Sequence, residues 1–187
     1  MAGFELSHSR SSSGDFTGVG QEYDIPVGNA GRLAVGDAVT LTGTSNATNG
    51  RAGVVIAAQG ASIVGVITSF SPDIANESFN DAGGIAATTA GACHVVTDEK
   101  AMFEVECSAT LNAVDVGLNA EAVVTAATQS GGLTISNMTL DSATKATTNT
   151  LHFHIHRLLE GATTGTLGDR ALVSLNGTYF NTGATGV

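Results

Sequence analysis

"TLHFHIHRLLEG", residues 150–161, places His152, His154 and His156 at every second position in a chain that has only five histidines. Alternate residues of a β-strand share a face, so Leu151, Phe153 and Ile155 point one way and the three imidazoles the other. The apolar set explains a strand with one face in a core. The histidine set needs its own account, because His-x-His on a strand can also chelate a transition ion.

The surrounding sequence carries the same period of two. In "AMFEVEC" (101–107), Phe103, Val105 and Cys107 can face a core while Met102, Glu104 and Glu106 face outward. Together with "ACHVVTD" (92–98) this segment reads as a hairpin turning near Asp98 to Lys100, which would set Cys93 and Cys107 opposite each other. Two cysteines do not make a disulfide framework, and reduced packing thiols are expected. In "RLAVGDAVTLTG" (32–43), Leu33, Val35, Val39 and Leu41 alternate around a turn or bulge at Gly36-Asp37. "QEYDIPV", "GVVIAA", "SIVGVITSF", "GLTISNMTLD" and "RALVSLNGTYF" read as further strands. "LNAEAVVTAAT" (118–128) allows a short helix, and "SPDIANESFNDAGGIAA" (71–87) is a long connection of the kind that often carries binding.

Composition agrees with strands. The 187 residues include 24 glycines and much Ala, Val and Thr, with only 13% charged side chains, so the charge-rich 3.6-residue period of surface helices is missing. The length suits one core. Residues 1–20 are polar and rich in Ser and Gly, with Phe4, Leu6 and Phe16 as their large apolar side chains; such a segment is either disordered or laid against a partner. The expected fold is all-β: a single β-barrel or sandwich domain over residues 21–187, with long loops and an extended N-terminal arm over 1–20.

Charge and motifs narrow the function. Seven Lys and Arg against 17 Asp and Glu give a net charge of -10, which opposes nucleic-acid binding because phosphate contacts need clustered cations. No apolar run approaches the ~20 residues that span a bilayer, and the first residues lack a signal-peptide pattern, so a cytoplasmic product without membrane partners is expected. "SATK" places Ser142 three residues before Lys145, the spacing of a serine β-lactamase nucleophile and lysine, but the companion motifs are absent. Glu104 and Glu106 read as a solvated face. "HIHRLLE" is similar to the first metal motif of cupins, in which His154, His156 and Glu160 would be ligands with His152 or His94 assisting; no third downstream histidine or Pro-x-Gly follows. Polar residues facing water or a neighbouring subunit account for the three histidines more simply. No metal, cofactor or catalytic residue is therefore expected.

A second likeness covers roughly residues 21–180 as an ordered set of short phrases. "HVVTDEKAMFEVECSATLNAVDVGLNAEAVV", "YDIP" followed by "VGDAVTLTG", and the closing "LHFHIHRLLEG" and "ALVSLNGTYF" resemble the capsid cement, or head decoration, proteins of tailed bacteriophages. The hairpin turn departs from that pattern, carrying Glu99-Lys100 where relatives often have Pro. The resemblance implies a non-enzymatic virion protein, made in the host bacterial cytoplasm, that binds the outer surface of the assembled capsid. It would bridge neighbouring major capsid proteins, stabilising the head against internal DNA pressure, as a homotrimer or a dimer. It also gives the arm a role, with Phe4, Glu5, Leu6, Ile25 and Pro26 as the expected capsid-binding residues.

Overall fold

A computed structural model describes residues 3–7, 20–71, 83–183 and 185–186. Nearly all of the regular structure is β. The one helical turn among the described residues is a 3-10 segment at Ala113–Asp115, where the Asp115 carboxylate accepts the Asn112 amide at 2.8 Å.

Five strands close a small barrel in the order Gln21–Ile25, Ala52–Ile56, Ala38–Ser45, Gly65–Ser71, Gly91–Val96. Four seams are antiparallel, and the fifth closes the barrel through a single parallel pair, Asp24 with Gly53. Tyr23, Ile25, Val39, Val54, Ile67, Cys93 and Val95 fill its interior. β-Branched side chains dominate because they pack on a pleated surface with little loss of rotamer freedom.

The second body is a five-stranded antiparallel sheet in the order Glu5–Leu6, Met102–Glu106, Leu167–Leu175, Phe153–Glu160, Asn119–Ala120. Phe103, Val105, Phe153, Ile155, Ala171 and Val173 line its buried face. Ala38, Val66 and Val96, which belong to barrel strands, pack into the same cluster. One barrel wall therefore serves two cores, and the all-β expectation takes the form of a barrel with a sheet stacked on its side.

Three sequence readings are decided or corrected by the fold. The segments 92–98 and 101–107 are strands joined by a turn, with the Ala101 amide on the Asp98 carbonyl at 3.1 Å, yet they do not pair. Gly91–Val96 stays in the barrel and Met102–Glu106 enters the sheet, so Cys93 and Cys107 sit in different sheets as free thiols. Each segment finds a longer antiparallel partner elsewhere than a short hairpin would supply. The segment 118–128 is not helical: it contributes the short strands Asn119–Ala120 and Ala122–Val123, which satisfy the edges of Phe153–Glu160 and Thr139–Leu140.

The N-terminal arm is the third. Phe4 is only 1% exposed, and its ring stacks on Phe153 with centroids 4.2 Å apart and planes 13° from parallel. The Gly3 amide donates to the Met138 carbonyl at 2.8 Å and the Phe4 amide to the Gly36 carbonyl at 2.9 Å. Glu5 and Leu6 then pair with Glu104 and Phe103. Gly3 is required there: at φ +101 any Cβ would stand 2.5 Å from the Ser136 side chain. Phe4 thus completes the chain's own core, where burial of a large aromatic is worth more than a surface contact. Residues 8–19 of the expected arm lie outside the described residues.

Candidate functional site

The histidine strand shows how local pattern and tertiary pairing combine. Phe153 and Ile155 are fully buried, as the alternation requires, whereas Leu151 precedes the strand and is only partly buried. On the opposite side each imidazole meets a residue of its own chain. His152, just before the strand, is buried rather than turned to water or a subunit, with Nδ1 2.6 Å from Glu121 Oε2. Glu121 is buried too, so the hydrogen bond between the two side chains offsets the hydration both have lost. His154 Nδ1 lies 2.7 Å from Asn119 Oδ1, and His156 Nε2 2.9 Å from Ser174 Oγ. The register between this strand and Leu167–Leu175 slips between Ile155 and Arg157, and His156 is the extra residue of the bulge. Burial lowers the pKa of His154 and His156, and His154 lowers that of His156 further.

The ligand set of a cupin is not assembled. Glu160 stands at the far end of the strand, about 13 Å along the chain from His156 at ~3.3 Å per residue. His94 sits in a barrel strand with Nδ1 3.3 Å from Ser69 Oγ. Among the described residues no group of three or more His, Cys, Asp or Glu is placed to hold a metal ion.

The other candidates are engaged internally. Ser142 Oγ is 2.9 Å from Ser108 Oγ, while Lys145 Nζ pairs with Asp115 at 3.1 Å, so the serine and lysine serve separate contacts. Glu104 accepts from Arg170 at 2.9 Å, and Arg170 also reaches Glu5 at 3.9 Å, tying three strands of the sheet together. Burial pushes the thiols of Cys93 and Cys107 up to about 12, with nearby carboxylates adding to the effect, so neither is a thiolate at neutral pH. Of the expected arm residues, Phe4 and Ile25 are core, Leu6 packs against the sheet cluster and Glu5 faces Arg170. Pro26 lines a cavity of about 590 Å³ beside the strands Gln21–Ile25 and Ala52–Ile56. There Arg51 bridges Glu22 at 2.5 Å and Asp24 at 3.8 Å, Asn49 donates to Asp24, and Ser71 donates to Glu22. Its charged groups are spent on one another. Residues 72–82 of the long connection lie outside the described residues.

The exposed large apolar side chains include an aromatic pair at a hairpin tip. Gly177–Thr178 and Asn181–Thr182 form a small hairpin whose tip is Tyr179-Phe180, 54% and 63% exposed, with ring centroids 6.4 Å apart. The tip is held: Thr178 bridges to Ile63, the Tyr179 amide donates to the Ile63 carbonyl at 2.7 Å, and the Phe180 amide to Thr178 Oγ1 at 3.3 Å. Read along the sequence, these aromatics merge into the preceding strand. The signal that separates them is their flanks, "NGTYFNTG", where Asn and Gly on both sides mark a turn. No family profile, curated protein or solved structure matches the chain.

Proposed function

We propose that this chain is a capsid cement protein: a bacteriophage head component that binds the outside of the assembled shell and bridges neighbouring major capsid subunits. The observation that carries the reading is the Tyr179-Phe180 tip. Two large rings held in water by a braced hairpin are the kind of anchor that dominates protein interfaces, where aromatics supply much area at little entropic cost. The ordered sequence phrases that resemble those of cement proteins, the all-β architecture and the acidic composition support the same reading.

Magnitudes fit a repeated contact. Covering both rings would remove on the order of 200 Å² of apolar surface from water, about 5 kcal/mol at ~25 cal/mol per Å². Association alone costs ~4–15 kcal/mol, so one tip would hold weakly. A trimer, or a dimer, engaging several capsid subunits at once turns such contacts into slow dissociation.

The test is co-sedimentation of the untagged chain with empty heads assembled from the source phage's major capsid protein. Binding should saturate at a fixed ratio to capsid subunits, and Tyr179→Ser with Phe180→Ser should weaken it at least tenfold without lowering the melting temperature. Heads that sediment free of the protein at micromolar concentration would refute the reading.

A further inference from the structure

The pairing of His154 with His156 has a chemistry that neither strand formation nor capsid binding uses. Asn119 Nδ2 donates to the Thr148 carbonyl at 3.0 Å, which turns Oδ1 toward His154. An amide oxygen only accepts, so the proton of His154 sits on Nδ1 and its Nε2 keeps a lone pair. An outer partner that fixes the tautomer in this way is what orients metal-ligating histidines. On His156, Nε2 is occupied by Ser174 Oγ at 2.9 Å; with Nε2–H donating to that hydroxyl, Nδ1 is the open nitrogen.

The spacing is also that of two ligands to one ion. The ring of His156, the extra residue of the bulge, has its centroid 4.8 Å from that of His154, with planes 75° from parallel. With metal–nitrogen distances of ~2.0–2.1 Å, two imidazoles on one ion have centroids about 4.5 Å apart at a right angle and about 5.2 Å at the tetrahedral angle. The observed separation falls between the two.

We infer that His154 Nε2 and His156 Nδ1 form a two-imidazole site for a borderline divalent transition ion such as Ni²⁺, Cu²⁺ or Zn²⁺, with water completing the coordination. Imidazole selects these ions over Mg²⁺ and Ca²⁺, which prefer oxygen. The site differs from a cupin centre, since Glu160 takes no part.

Isothermal titration of the untagged full chain with NiCl₂ near neutral pH tests this directly, nickel being chosen because it does not oxidise the two thiols. One saturable Ni²⁺ per chain is expected, displaced by free imidazole and unaffected by excess Mg²⁺. His156→Gln, at an exposed bulge position that tolerates exchange, should weaken binding at least tenfold. His154→Ala should do the same, whereas His94→Ala should leave it unchanged. No saturable binding by the unaltered chain, unchanged affinity in both His156→Gln and His154→Ala, or loss of binding in His94→Ala would overturn the assignment.

Discussion

At Asp37 a carboxylate is held where water does not reach it. It is fully buried, and burial pushes its pKa up to about 6, although hydrogen bonds from the Ser136 hydroxyl and the Ala34 amide pull the other way. The cost is borne because the same turn organises three segments: Gly36 accepts the Phe4 amide, and the Ile67 amide donates to the Asp37 carbonyl. A carboxyl whose folded pKa stands above its unfolded one adds stability below about pH 4 and loses it as pH rises through about 6. The gap corresponds to about 3 kcal/mol. In Asp37→Asn, which can still accept from Ala34 and donate to Ser136, that loss should vanish. Urea unfolding at pH 4 and pH 7.5 should therefore show the stability difference between the two proteins moving by ~2–3 kcal/mol in favour of Asn at the higher pH. A pH-independent difference would contradict the account.

Among the elements, the strand Glu5–Leu6 is a marginal one. Two residues pair with Met102–Glu106, and by themselves they could not hold an edge. The Phe4 ring on Phe153 and the Arg170 link to Glu5 and Glu104 supply what the ladder lacks. Phe4→Ala should cost about 4 kcal/mol in denaturant unfolding, the scale of other buried Phe deletions. An anchor reserved for a capsid surface would leave the stability of the isolated chain untouched. The same logic changes how the arm's role in capsid binding is best probed: truncations should retain residues 3–7, since their loss would weaken the fold as well as any interface.

For the whole molecule, the shared wall decides cooperativity. Ala38, Val66 and Val96 contribute to the sheet core from strands whose neighbouring residues line the barrel, so opening one body strips the other of part of its packing. Amide exchange should give Val54 and Ile67 in the barrel the same opening free energy, within about 1 kcal/mol, as Val105 and Val173 in the sheet. Two distinct plateaus would mean that the bodies unfold separately. No helix among the described residues is long and apolar enough to cross a membrane.

The alternation of Phe103 with Glu104 and of Phe153 with His154 was legible in the sequence, because side-chain direction along a strand is a local property with a period of two. The all-β class followed from it together with the Gly-rich, charge-poor composition. Partner choice was not legible. Met102–Glu106 passes over its neighbour 91–96 to pair with Leu167–Leu175, and Phe4 finds Phe153, because burial rewards fit between segments whatever their distance along the chain. The candidate site divides in the same way. His-x-His and the Tyr-Phe pair can be read from the letters, but Asn119 fixing the His154 tautomer, and Ile63 bracing Tyr179 into water, depend on contacts that only the folded chain makes.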